Sequence, residues 1–75
     1  MEKTAVIKIS EVNDLYEFFK QASLVDGDVL LTKGKYAVDG KSMMGIFTIN
    51  LSEPTLIHFP EDADAFCKYI SKFLV

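Results

Sequence analysis

Of the side chains able to carry chemistry, Ser42 has the most informative setting, the run Gly40-Lys41-Ser42-Met43-Met44-Gly45-Ile46-Phe47. A serine followed by paired methionines reads as a helix start that carries an exposed apolar patch, because a serine oxygen accepts the free N–H groups of a first helical turn and methionine adapts to varied surfaces. The other candidates are weaker. His58 is the one histidine, and in Thr55-Leu56-Ile57-His58-Phe59 the alternation turns Ile57 and Phe59 toward a core and His58 to the other side. With no second histidine and no Cys-x-x-Cys pair, it has no companions for a metal site. Cys67, the one cysteine, falls on an apolar helical stripe, where a thiol is a small buried hydrophobe rather than a nucleophile. No Ser/His/Asp arrangement, glycine-rich phosphate loop or pair of carboxylates stands out. The sequence therefore presents no catalytic residue, no metal ligands and no cofactor motif.

These residues must be positioned by a short series of elements. The alternation in residues 5–10 predicts a first strand, with Ala5, Ile7 and Ile9 inward and Lys8 outward. Asn13 or Asp14 then caps a helix to about Ala22, with Leu15, Phe18, Phe19 and Ala22 as its buried stripe and Val12 and Tyr16 at the edge. Asp26-Gly27-Asp28 is a turn, and residues 29–32 and 36–39 are strands joined by the tight turn Lys33-Gly34-Lys35. Ser42 opens a second helix to about Ile49. A strand over residues 55–59 ends at Pro60, which lacks a ladder donor. In the last helix Glu61, Asp62 and Asp64 lie toward the positive end and Lys68 and Lys72 toward the negative one. Its apolar face is Ala63, Phe66, Cys67, Ile70, Phe73 and Leu74. The order β-α-β-β-α-β-α defines an α+β chain with a four-stranded, mainly antiparallel sheet and helices on one face, an open-faced β-sandwich.

Composition narrows the function. Seventy-five residues (1–75) make one domain. One cysteine excludes a disulfide framework and fits a reducing cytoplasm. Met1-Glu2-Lys3-Thr4 leads directly into a strand pattern, so no signal peptide is visible, and no apolar run approaches the ~20 residues of a membrane span. Eight basic residues, all lysine, against eleven acidic ones leave a net charge of −3. That balance, with no arginine for bidentate phosphate contacts, disfavours direct nucleic-acid binding. Lys33, Lys35 and Lys41 cluster near the hairpin, where a solvated turn explains them better than a basic site.

The Ser42 run is similar to the regulatory-serine helix of the HPr family, the small phosphocarriers of the bacterial sugar phosphotransferase system, which commonly reads Lys-Ser-Ile-Met-Gly. From Ala22 to Ile49 the pattern aligns without an obvious gap, through Ala22-Ser23, Asp26, Asp28-Val29, Leu31, Lys41-Ser42 and Met44-Gly45. Glu61-Asp62-Ala63-Asp64 resembles the acidic entry to the family's last helix. The resemblance implies the HPr fold and its strand order. It fails at the family's Gly-x-His-x-Arg-Pro motif, which carries the phosphoryl-accepting histidine; Ser10-Glu11-Val12-Asn13-Asp14 stands there instead. Glu11 and Asp14 would repel an arriving phosphoryl group, although carboxylates at a helix start also act simply as dipole partners.

What survives is regulatory. In Gram-positive HPr and its histidine-less relative, the catabolite-repression HPr-like protein, the serine matching Ser42 is phosphorylated by a dedicated kinase, and the product binds a transcriptional repressor. The resemblance thus implies Ser42 as a modification site and Lys41, Met43, Met44 and Phe47 as partner-binding residues. Two plainer readings stay open: Ser42 as an N-cap alone, and one or two of the apolar residues closing the core beside Ile46 and Ile49. The implied protein is a cytoplasmic, bacterial, non-catalytic interaction module tied to sugar-transport regulation. Its expected partners are a serine kinase and a transcriptional regulator or phosphotransferase component, with no membrane or metal. The alternatives are an atypical phosphocarrier and an unregulated interaction domain.

Overall fold

A computed structural model describes residues 2–75 and places them in the order β1 (Glu2–Ile7), α1 (Val12–Ser23), β2 (Leu30–Lys33), β3 (Tyr36–Asp39), α2 (Met43–Thr48), β4 (Thr55–Pro60) and α3 (Asp64–Ile70), closed by the 3₁₀ turn Ser71–Phe73. The strands form one sheet ordered β1-β4-β2-β3, antiparallel at every pairing. Strict alternation along β4 sets its two faces: Thr55, Ile57 and Phe59 are buried, while Leu56, His58 and Pro60 lie on the opposite side. The register places Ile57 between Ala5 and Leu31, and His58 between Thr4 and Leu30. The buried face carries Ile7, Leu31, Ile57 and Phe59, and the helices cover it with Phe18 and Ala22 of α1, Ile46 of α2, and Phe66 and Ile70 of α3.

Four expectations shift. The first strand runs over Glu2–Ile7 rather than 5–10, because its β4 partner ends with Ile7 opposite Thr55. Ile9 is still buried, but in a loop whose N–H donates to the Leu51 carbonyl at 2.7 Å. Neither Asn13 nor Asp14 caps α1: Glu11 occupies the N-cap position without a side-chain cap bond, and Asn13 and Asp14 lie inside the helix. The last helix stops at Ile70, and Glu61 and Asp62 precede its Ala63 cap. Leu74 leaves the apolar face altogether. It is drawn out as an isolated bridge to Ile7, with the Val75 N–H on the Val6 carbonyl and the Lys8 N–H on the Phe73 carbonyl, both at 3.0 Å. This tail occupies part of the outer edge of β1.

The hairpin lysines do not form a basic cluster. Lys33 reaches across to the Asn50 carbonyl and the Glu53 carboxylate, stapling the loop after α2 to the β2–β3 hairpin. Lys41 is engaged elsewhere, and Lys35 stands in the exposed turn.

Candidate functional site

Ser42 is delivered by a turn that the end of β3 builds for it. The Asp39 side chain accepts the Lys41 N–H at 2.9 Å and its carbonyl accepts the Ser42 N–H at 3.0 Å. These two bonds fold the chain back so that Ser42 enters α2 in an extended conformation, its hydroxyl accepting the Gly45 N–H at 3.2 Å and its carbonyl the Ile46 N–H at 3.0 Å. Two glycines let the turn and helix sit this close to the sheet. A Cβ on Gly40 would come 2.5 Å from a Val29 methyl, and one on Gly45 would press on Val38 at 3.1 Å and on the Asp39 carbonyl at 3.3 Å.

With Ser42 fixed, helical spacing decides what α2 buries. Ile46 and Ile49 enter the core, Met43 is half-buried, and Met44 and Phe47 are left 78% and 43% exposed. The Phe47 ring stands edge-on to Tyr16 of α1, centroids 5.6 Å apart at 64°. Tyr16 is itself 48% exposed, and Val12, one turn before it, is exposed as well. The apolar surface therefore bridges two helices, α1 and α2. Sequence reasoning placed Tyr16 and Val12 only at the edge of a buried stripe; their i, i+4 spacing off that stripe was the available signal.

Lys41 is positioned differently from its neighbours. Its ammonium donates to the Val25 carbonyl at 2.7 Å in a part-buried contact, which ties the entry of α2 to the end of α1. The lysine is thus occupied in holding two elements together beside Ser42.

The region of Ser10, Glu11, Val12, Asn13 and Asp14 carries negative charge at the start of α1. Behind it the Tyr69 hydroxyl of α3 is buried without a hydrogen-bond partner among the described residues. Burial, reinforced by the Glu17 and Asp14 carboxylates, pushes that phenol up to about 12. The Lys72 ammonium lies over the Tyr69 ring, 4.9 Å from its centroid.

His58 lies far from this region in the architecture, on the sheet face that the helices leave open. Its Nδ1 is 3.2 Å from Glu2 Oε1 and its Nε2 is 3.4 Å from Thr32 Oγ1, so both ring nitrogens are engaged across neighbouring strands. Cys67 is half-buried against the core. Among the described residues no group of three or more His, Cys, Asp or Glu side chains is placed to hold a metal ion, and no helix is long and apolar enough to cross a membrane.

A four-stranded antiparallel sheet ordered β1-β4-β2-β3, covered on one face by three helices, is an open-faced α+β sandwich of the HPr-like kind. Comparison with solved structures agrees. The chain is similar to HPr-C-His from Thermoanaerobacter tengcongensis at 23% identity and a TM-score of 0.74, over 96% of this chain and 92% of that one. It is also similar to a phosphocarrier protein HPr from Bacillus anthracis at 18% identity and a TM-score of 0.68, over 100% of this chain and 96% of that one. The chain has the HPr-like fold. No family model matches the sequence, and no curated protein matches it.

Proposed function

We propose that this chain is a non-catalytic, cytoplasmic interaction module of bacterial origin, related to the phosphoenolpyruvate-dependent sugar phosphotransferase system and to catabolite repression, that docks protein partners through α2. The observation that carries this reading is the exposed set Met44, Phe47 and Tyr16 standing beside a fully formed Ser42 cap. Adaptable methionine and an aromatic pair on a rigid helix are the components of an interface anchor. The proposed docking residues are Lys41, Met43, Met44 and Phe47, and the Lys41 ammonium, bonded to the Val25 carbonyl, also ties the start of α2 to the end of α1.

Ser42 is the proposed switch. Phosphorylation would add about −1.5 to −2 charges at the first turn of α2, directly beside the apolar anchor, and so change which partner surface fits it. The partners in this reading are a serine kinase and either a transcriptional regulator or a phosphotransferase component, with no direct contact to nucleic acid or membrane. Phosphocarrier activity has little support. The one imidazole is on the far face of the sheet with both nitrogens engaged, and the start of α1 offers carboxylates.

Two phosphorylation assays on the purified chain test the reading. The serine kinase of a Gram-positive host with ATP is expected to label the wild type and not Ser42→Ala. Phosphoenolpyruvate with the first enzyme of the phosphotransferase chain is expected to leave His58 unlabelled. Acid-labile phosphate on His58 would restore the carrier reading. A kinase that labels ordinary HPr but leaves Ser42 untouched would reduce the proposal to an unregulated docking domain, for which Met44→Asp must still abolish binding to a phosphotransferase component measured by titration.

A further inference from the structure

The two edges of the sheet are treated differently. The outer edge of β1 is partly occupied by the tail at Leu74 and Val75, whereas β3 ends the sheet with no strand beyond it among the described residues. The direction of the β3 backbone groups follows from the ladder. Gly40 donates to the Val29 carbonyl at 2.7 Å, so Gly40, Val38 and Tyr36 turn their N–H and C=O groups toward β2, and Lys35 and Ala37 turn theirs outward, as does Asp39, whose carbonyl is already taken by the Ser42 N–H at 3.0 Å. Side chains alternate in step. Tyr36 and Val38 lie on the helix side, where with Lys33, Thr48 and Ile49 they line a hollow of about 370 Å³. Tyr36 is 73% exposed there.

We propose that β3 is a self-pairing edge, and that its occupant is the β3 strand of a second copy of this chain. The segment Lys35-Tyr36-Ala37-Val38-Asp39 is self-complementary when it pairs antiparallel about its own centre. Ala37 meets the second copy's Ala37 as a hydrogen-bonded pair, using the outward N–H and C=O groups of both. Tyr36 meets the second copy's Val38 in the adjacent non-hydrogen-bonded pair, where side chains approach most closely, and an aromatic against a β-branched residue is a favourable cross-strand combination. The hollow beside Thr48 and Ile49 receives the ring. Lys35 meets the second copy's Asp39 at both ends, so opposite charges pair twice. One Asp39 carboxylate oxygen already holds the Lys41 N–H, which leaves the other for this contact. The two-fold axis stands on the sheet, and the two sheets join into one of eight strands with both sets of helices on the same side.

A four-residue edge covers far less than the ~1,200–2,000 Å² of a stable complex, so the pairing is weak, with a dissociation constant of about 0.1–1 mM. Sedimentation equilibrium from about 20 μM to about 2 mM brackets that range. The wild type is expected to rise from 8.4 kDa toward twice that mass as concentration increases. Ala37→Pro removes the outward N–H at an edge position where proline is tolerated, and is expected to stay at the monomer mass with unchanged circular dichroism and melting. Lys35→Glu sets like charges opposite each other and is expected to weaken association by about tenfold or more. Mixing Lys35→Glu with Asp39→Lys restores opposite charges at both ends, so the mixture is expected to associate where neither variant does alone. Should Asp39→Lys fail to fold by circular dichroism, Ala37→Pro and Lys35→Glu decide on their own. A wild type that stays at 8.4 kDa throughout overturns the proposal. So does an Ala37→Pro variant that associates like the wild type, which would move the contact to the Met44 and Phe47 surface.

Discussion

Phe66 is the residue whose removal tests the packing of this fold most sharply. It is buried at the contact of α3 with both the sheet and α1, its ring tilted against Phe18 at 5.8 Å and edge-on to Phe59 at 5.6 Å. Phe66→Ala deletes the ring at the centre of that trio and leaves a void that Phe18 and Phe59 cannot both fill, since each is anchored in a separate element. Such truncations cost about 3–5 kcal/mol, with the two aromatic contacts contributing about 0.5–1.5 kcal/mol each beyond the area they bury. A chain of this length has a total stability of roughly 4–11 kcal/mol at ~0.05–0.15 kcal/mol per residue, so the variant should be half unfolded or worse under mild stress. Phe66→Leu refills most of the volume and loses only the ring geometry, for an expected cost of about 1–2 kcal/mol. Urea denaturation of the three proteins, analysed at a common slope, provides the comparison. If Phe66→Ala loses less than about 1 kcal/mol, or if Phe66→Leu costs as much as Phe66→Ala, then α3 is not held by this aromatic trio.

Ser42→Ala should cost about 1 kcal/mol through loss of the Gly45 N–H acceptor, and Ser42→Asp, which also caps, should recover most of it in the same denaturation assay. Lys41→Met should cost about 1.5–3 kcal/mol, because it leaves the part-buried Val25 carbonyl without its charged donor; an unchanged midpoint would mean that the contact contributes nothing. Tyr69 should be the phenol that ionises near 12, seen as the difference between ultraviolet titrations of the wild type and Tyr69→Phe. Because an unfolded tyrosine ionises near 10, the unfolded state releases its proton first, so folding stability should fall as pH rises from about 10 to about 12 and be unaffected by this group below that window. Tyr69→Phe should lack that decline, and a Tyr69 that ionises near 10 would remove its basis.

The elements that proved legible were those whose signal is local. Ser42 at a cap, Ile46 and Ile49 as the buried pair of a short helix, and Ile57 and Phe59 flanking His58 all follow from periodicity and cap chemistry within a few residues. Misjudged features depended on partners distant in the chain. Alternation through Ile9 continues past the point where β4 stops supplying partners, so the pattern alone overran the strand at its end. Leu74 fits a helical face by spacing, yet pairing with Ile7 draws it into an extended tail. The engagement of Lys41 with Val25, sixteen residues earlier, left no mark on the local sequence. The apolar patch was read at Met43, Met44 and Phe47, while its extension to Tyr16 required knowing that α1 and α2 lie side by side. Strand order came from the family resemblance rather than from any property of the residues taken alone.

The place of β4 in the sheet has a consequence for how the chain is made. Glu2–Ile7 is made before the other strands of the sheet, but its ladder partner, Thr55–Pro60, comes some fifty residues later, and the same late strand is what joins β1 to the β2–β3 hairpin. Closing a loop of that length costs about 3–4 kcal/mol in chain entropy before a single cross-strand bond offsets it. Until translation reaches β4, the nascent chain holds a hairpin and an orphan strand with a gap between them that nothing else can fill. Folding is therefore deferred to a late stage of synthesis and then completed together, leaving no stable half-built sheet along the way.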